Sequence, residues 1–459
     1  MKLKKGQKLI ANISNLNIKG FGIAKLYQGS KTYNIAVDGA FPGDLVECQV
    51  YKSKKLYAEA RVLHFLKYSR DRVEPNNDYA GISGATPLET LAYPKQLVYK
   101  QAEVIRILNN LNLKSVINPI IGMEDPWFYR NKMQYSFGIE ADTFEFTLGL
   151  HHKMYRSKIV SVQNCNLCDP LCNKLISFTK AYFQKTDLVP YNFFDNSGLL
   201  RNLTLRFSKN TTDKMLILEL SNYSNDPVVD QYFQALQATF PEITSAYLLN
   251  IIVKKGTKTQ NVLTHKFGQT TLQENLHLKT QNLEFQVLPL AFFQPNTKQA
   301  QTIYQTVLDL VEPGKLALDL FCGTGTIGLF LSSLFSKVVG IELEPQAVEV
   351  AKSNALNNQL QNIEFYCGDV YKILNSKQFQ QPDLVVVDPP RSGLTPKALD
   401  LIVNLAPKQL VYVSCNLKSF ANNAVELTEK GYKLELVTPV DQFPHTRHLE
   451  VIAKFTHPK

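Results

Sequence analysis

From about residue 285 to the C-terminus, short apolar runs alternate with amphipathic stretches. The runs 316–321, 338–341, 363–366, 384–387 and 410–413 read as strands. The segments 324–335, 345–357, 396–405 and 418–430 carry helical spacing and connect them. Strands buried on both faces read as continuous apolar runs, and helices between them make a parallel sheet the expected architecture. The N-terminal pattern differs. Residues 1–68 hold short strand-like runs, Ile18–Ala24 among them, broken by Gly20, Gly22, Gly39 and Pro42-Gly43, as in a small β-barrel. Residues 69–283 read as an α+β domain, with a helix near 95–113 able to pack on the C-terminal domain of residues 284–459.

Within the central domain the stretch 129–137 alternates, which sets Arg130, Lys132 and Gln134 on one strand face and the aromatics on the other. The runs 203–207 and 215–220 flank Asn210-Thr211-Thr212-Asp213, as strands of a hairpin would. Charge sharpens this picture. The chain of 459 residues has a net charge of +10, and residues 1–66 hold eleven Lys/Arg against Asp38, Asp44, Glu47 and Glu59. A basic β-module suggests a polyanion partner, with nucleic acid favoured over a membrane. No apolar run reaches the ~18–20 residues of a membrane span. The basic N-terminus lacks an apolar signal core, and the seven cysteines have no disulfide-framework spacing, so a cytoplasmic location is expected.

Candidate chemistry clusters late in the chain. Gly323, Gly325 and Gly328 sit between a strand and a helix, where backbone can approach a ligand closely. Glu342 ends the next strand, placed to accept hydrogen bonds from ribose, and Asp369 follows the third strand, where an adenine ring is contacted. That fingerprint fits NAD as well as S-adenosylmethionine. Asp388 ends the fourth strand before a rigid Pro389-Pro390 turn, and Arg391 stands where an aromatic would suggest methylation of an exocyclic amine. Cys415, in Val413-Ser414-Cys415-Asn416, is a packed strand-end thiol or a nucleophile; Glu450 alone is a surface carboxylate or a base.

Asp388-Pro389-Pro390-Arg391-x-Gly393 followed by Leu410-Val411-Tyr412-x-Ser414-Cys415-Asn416 resembles a signature of the RNA uracil-5-methyltransferases. Val440-Asp441-x-Phe443-Pro444-His445-Thr446-x-His448-Leu449-Glu450 is similar to that family's second signature, and Ser419 replaces the usual Thr. The N-terminal module resembles a TRAM domain, which occurs in the ribosomal-RNA branch and is lacking in the transfer-RNA branch. The resemblance implies an α/β fold: a Rossmann-like S-adenosylmethionine methyltransferase domain preceded by a small TRAM β-barrel and an α+β central domain. It implies that Cys415 is the nucleophile, Glu450 the base and Asp388 an orienting group. Gln294, Phe321, Gly323, Thr326, Glu342, Asp369 and Asp388 would line the S-adenosylmethionine site. The implied reaction is methylation of C5 of a uridine in 23S ribosomal RNA, naked or partly assembled, by a monomer without membrane association. Methylation of tRNA, or a non-catalytic RNA-binding or ribosome-assembly role, are the alternatives.

One departure matters. The ribosomal-RNA branch carries a Cys-x5-Cys-x2-Cys run after the barrel, and the aligned positions here are Asn77, Ser83 and Thr86. No [4Fe–4S] cluster is therefore expected, because such clusters need thiolates, and no metal ligands are assigned. Cys165-x2-Cys168-x3-Cys172 has loosely metal-like spacing, with packed thiols the favoured reading. Arg130 and Lys132 are candidate phosphate contacts, and His445 and His448 candidate supports of the site.

Overall fold

The computed structural model of the protein describes residues 3–457 except 18, 29, 30, 141, 142, 156, 255, 377, 378 and 380, so Ile18 lies outside the described residues. The N-terminal six-stranded sheet runs Lys8–Asn12, Leu45–Ser53, Tyr57–Lys67, Lys31–Asp38, Gly22–Gln28 and Asn15–Leu16 in spatial order. Alternating side chains such as Val37, Val46 and Ala60 form its core. Arg72, just beyond the last of these strands in sequence, clamps back onto the sheet: it pairs with buried Asp44 at 2.7 Å and lies 4.6 Å over the Phe41 ring.

The second sheet has seven strands, in the order Ile159–Ser161, Phe146–His151, Lys132–Ile139, Leu200–Phe207, Lys214–Ser221, Ser245–Ile252 and Gln260–Gly268. The hairpin read from the sequence is its centre, with Leu203 opposite Leu218. Leu203, Leu205, Tyr135 and Phe137 share a core with residues of helices Leu171–Phe183 and Pro227–Thr239. The strand expected over 129–137 starts at Lys132 instead. Arg130 precedes it, its backbone bridged to Cys168 and Asn296, and its guanidinium lies 6.0 Å from the Phe443 ring. The backbone amide of Arg130 is satisfied by Leu167 rather than by a neighbouring strand, which ends the alternation there.

The third sheet has eight strands: Ile363–Cys367, Phe335–Glu342, Gly314–Leu320, Leu384–Val387, Gln409–Ser414, Glu450–Thr456, Lys433–Val440 and Val116–Ile117. The first five are parallel, and Glu450–Thr456 runs antiparallel between two of its neighbours. Helix 324–335 is shorter than expected, spanning Thr326–Leu331. The Ser332 and Ser333 hydroxyls bond back to Leu329 and Phe330 carbonyls at 2.6 and 3.0 Å, and Asn362 Nδ2 donates to the Ser332 and Phe335 carbonyls. Such side-chain bonds offer the backbone an alternative to the helix.

Helix Tyr93–Asn110 lies against the third sheet, with Val104 and Leu108 in the same core as Phe420 and Val437. Hairpin Leu272–His277/Asn282–Val287 spans residue 284 and packs on helix Thr297–Leu310. The tie between helix Tyr93–Asn110 and the chain's last loop is a buried ion pair. Lys100 Nζ donates to Asp441 and to the Phe443 and His448 carbonyls, and Tyr93 Oη donates to the second Asp441 oxygen at 2.9 Å. Burial pulls the Lys100 pKa down, and Asp441 opposes that shift. Asp441→Asn leaves a buried cation without its counter-charge and should cost about 3–5 kcal/mol. Urea unfolding checks it: a change within experimental error would mean that the pair contributes nothing.

Candidate active site

The parallel strands all end on one edge, and the chemistry collects there. Strand Gly314–Leu320 ends at Asp319 and Leu320, and the chain then turns through Phe321 (φ +64°), Gly323 (φ +55°) and Gly325 (φ +79°). At Gly325 a side chain is excluded: its Cβ would stand 2.7 Å from the Phe365 ring. Glu342 holds the loop from the next strand, accepting from the amides of Gly323 at 3.0 Å and Leu343 at 2.7 Å. Asp319 Oδ2 accepts from the Gly328 amide at 2.8 Å, while its Oδ1 is buried without a partner. Burial, with Asp388 and Glu342 adding like charge, pushes the Asp319 carboxyl up to about 8.

Asp388 follows strand Leu384–Val387 and is pushed up to about 7 by burial. Cys415 follows strand Gln409–Ser414, and Asn416 behind it caps helix Leu417–Glu429 by accepting from the Lys418 amide at 3.1 Å. Ser414 pairs with Val451 on the antiparallel strand that Glu450 begins. That register brings Cys415 and Glu450 side by side at two neighbouring strand ends. Glu450 is buried, and desolvation, reinforced by Asp388 and opposed by Arg391, holds its carboxyl well above the usual range. The Cys415 thiol is pushed up to about 11 by burial and by Glu450 and Asp388, while Arg391 pulls the other way. Arg391 is itself anchored, its carbonyl accepting from Asn416 Nδ2 at 2.8 Å and from Ser419 Oγ at 3.1 Å. Ser419 thus supplies a hydroxyl as the usual Thr would.

A cavity of about 270 Å³ opens onto Cys415, and its walls include Arg391, His448, Lys100 and Gln96 together with Lys19 from the N-terminal domain. The Arg447 guanidinium reaches the Lys19 carbonyl at 3.4 Å across this seam. His448 is held neutral, its pKa pulled down to about 4 by burial and by Arg447 and other nearby cations. His445 does not face the cavity. It stacks on Trp127 at 3.8 Å, takes a hydrogen bond from Gln96 Nε2, and burial pulls its pKa down to about 3.

The structure thus joins Cys415, Glu450 and Asp388 in one electrostatic group, and Asp388 couples it to Asp319, on which Glu342 also acts. Gln294 is buried nearby, its Oε1 accepting from Gln442 Nε2 at 3.1 Å. Thr326 starts its helix, 3.4 Å from Thr324 Oγ1. Asp369 is exposed and accepts from the Lys372 amide. Sequence reading missed Asp319, Tyr304 and Lys100. Asp319 had a legible signal, a carboxylate at a strand end just before a glycine turn. Tyr304, which burial and Asp388 push strongly up, comes from a helix with no motif.

Cys165, Cys168 and Cys172 are buried thiols; Cys165 Sγ lies 3.1 Å from Tyr79 Oη and Cys168 Sγ 3.1 Å from Tyr135 Oη. Asn77, Ser83 and Thr86 are buried around the Tyr79 loop. Among the described residues no group of three or more His, Cys, Asp or Glu is arranged to hold a metal.

Known proteins resemble this chain over its whole length. The family model described as tRNA (uracil-5-)-methyltransferase matches residues 92–368, and a methyltransferase-domain model matches 312–446. An uncharacterized RNA methyltransferase of Clostridium tetani is 32% identical, covering 98% of each chain. One from Bacteroides thetaiotaomicron is 34% identical over 91% of this chain and 95% of its own. Among solved structures, the tRNA (uracil-54, C5)-methyltransferase of Pyrococcus abyssi in complex with S-adenosyl-L-homocysteine superposes with a TM-score of 0.75 at 25% identity. It covers 98% of this chain and 100% of its own.

The raised thiol has a checkable consequence. Site-resolved alkylation of Cys415 by iodoacetamide should be slow near pH ~7 and climb about tenfold per pH unit until about 11, since the thiolate reacts. Arg391→Ala should slow it further at every pH below that. A rate independent of pH, or unchanged by the substitution, would contradict the electrostatic account.

Proposed function

The chain belongs to the tRNA (uracil-5-)-methyltransferase family, an RNA methyltransferase that uses S-adenosylmethionine, and on that premise we propose that it methylates C5 of a uridine in 23S ribosomal RNA through a covalent bond from Cys415 to C6. The observation that carries the reading is the meeting of Cys415 and Glu450 at neighbouring strand ends beside Asp388.

The cofactor fits the residues present. Asp319 has a buried oxygen with no partner, suited to a cationic ammonium, and Glu342 ends its strand where ribose hydroxyls are met. The left-handed glycine turn leaves room for a ligand against the backbone. Gln294, Phe321, Gly323, Thr326, Asp369 and Asp388 are proposed to complete the site. When bound, S-adenosylmethionine supplies an electrophilic methyl group on a sulfonium.

The protein's own residues then divide the work. The Cys415 thiolate adds to C6 of the uracil, and the ring's electrons move to C5 and its carbonyl as an enolate. Arg391 favours that thiolate, offsetting the field of Glu450 and Asp388. With the cofactor in place its methyl group would pass to C5 while its sulfur kept the bonding pair as a neutral thioether, which leaves one proton on C5. Glu450, in its ionised form, takes that proton, and the C6–S bond breaks to expel the thiolate and restore the double bond. A carboxyl whose pKa is raised is a better matched base than an exposed one. The uridine must leave its stack to enter the cavity, and the Lys19 edge of the N-terminal domain sits at the mouth to receive the strand around it.

Support for ribosomal RNA comes from the TRAM-like N-terminal barrel and its basic charge. The barrel does not select it alone: the Pyrococcus tRNA enzyme covers 98% of this chain. Methylation of tRNA is therefore the second reading. The free state of the described cysteines suits the proposed cytoplasmic location, and we propose a monomer. Glu450→Gln should trap a protein–RNA adduct that survives a denaturing gel, and Cys415→Ala should abolish both adduct and product. Mapping 5-methyluridine in RNA from cells lacking the protein decides the substrate: loss from 23S RNA supports the first reading, loss from tRNA the second.

A [4Fe–4S] cluster does not fit. Asn77, Ser83 and Thr86 offer amide and hydroxyl groups where thiolates are needed, and Tyr79 holds Cys165. Purified protein is expected to be colourless and free of iron by elemental analysis. Stoichiometric iron would overturn this.

A further inference from the structure

At the rim of the central sheet, outside the lining of the Cys415 cavity, two large aromatics stand in solvent: Phe193 is 67% and Phe194 85% exposed. The tip that carries them is closed by local hydrogen bonds. Asn192 pairs with Ser197, the Phe194 amide donates to Asn192 Oδ1 at 3.0 Å, and Ser197 donates to Asp195 through both its amide and its hydroxyl. Gly198 (φ +82°) closes the turn, since a Cβ there would stand 2.2 Å from the Pro190 carbonyl oxygen. Beneath the tip the Arg201 guanidinium lies 4.0 Å over the Tyr191 ring and 5.2 Å from that of Phe193. Arg201 forms no salt bridge with the described residues, and the charge nearest to it is the buried carboxylate of Glu219.

Arg201 adjoins a polar network on the sheet in which Thr204, Arg206, Glu219 and Ser136 are buried and Gln134 is exposed. Glu219 beside it gathers Asn202, Thr204 and Gln134, Ser136 bonds Asn202 at 2.7 Å, and Lys132 follows next to Arg206. Farther across the sheet the same face bears Ile217 and Tyr247, which pack into the core of the catalytic domain. Arg206 at the inner end donates to the carbonyls of Leu288, Pro289 and Ala291, in the segment that leads to Gln294. From Arg201 to Arg206 the strand rises about 17 Å.

We infer that Phe193, Phe194 and Arg201 form a second RNA contact, which stacks an unpaired base of the substrate strand on the exposed tip. Aromatic faces accept any base, and an adjoining guanidinium adds a phosphate or cation–π contact, so this platform serves affinity rather than sequence. The inference rests on RNA being the substrate; the contact is with a single strand, since a duplex hides its base faces.

The test uses a fluorescein-labelled unstructured oligouridylate, with an RNA duplex as control, and measures Kd by anisotropy over a series of salt concentrations. Phe193→Ala with Phe194→Ala should weaken oligouridylate binding about 5- to 100-fold and leave duplex binding unchanged. Phe193→Tyr with Phe194→Tyr should restore it. Arg201→Gln should lower the salt slope by about one. Equal binding by wild type and the alanine variant overturns the contact while RNA binding itself stands, and would mark the tip as a protein-docking surface instead. No oligouridylate or duplex binding by wild type would overturn both.

Discussion

The ion pair between Lys100 and Asp441 is the constraint on which the site depends. It joins helix Tyr93–Asn110 to the loop that delivers Glu450, and Lys100 also holds the Phe443 and His448 carbonyls. Isolated, either charge would be too costly to bury; together with Tyr93 each is fully partnered. Around this lock, Gln96 grips His445 through its backbone amide and its ring, Trp127 stacks on that ring, and Gln299 Nε2 donates to the Asp441 carbonyl. The loop is thus held from several distant parts of the chain, and the strand that starts at Glu450 has one place to begin.

That position matters because the chemistry is a conflict of charges. Asp319, Asp388 and Glu450 are each raised by burial, Asp388 adds to the shift of the other two, and Glu450 and Asp388 raise the thiol as well. Carboxylates crowded in this way favour their protonated forms. A cation placed among them would favour their ionised forms. Arg391 is the fixed cation beside the thiol, which explains why its position is secured by Asn416 and Ser419 rather than left to a mobile loop.

Much of this was legible in the sequence. The inner parallel strands, such as Leu384–Val387 and Gln409–Ser414, were evident as apolar runs because both of their faces are buried, and three of the four connecting helices lie within a residue or so of expectation. Cys415 and Glu450 were singled out by the resemblance to two family signatures, and one helix and one strand separate them in the chain. Lys100 and Asp441 were not legible: they lie 341 positions apart, and neither sits in a pattern that declares a partner. Arg130 misled because alternation continued on paper past the point where its amide bonds to Leu167. Cys165, Cys168 and Cys172 have metal-like spacing, yet tyrosine hydroxyls meet two of them. Spacing records which side chains can converge and says nothing of what else converges with them.

The central claim is that the thiol and the carboxylate act on one uracil ring, and the proton leaving C5 is the most direct witness. RNA labelled with tritium at C5 of uridine, incubated with the protein and S-adenosylmethionine, should release one tritium to solvent for each methyl group incorporated. Methyl incorporation without tritium release would contradict the account, because the methyl group would then reside on another atom.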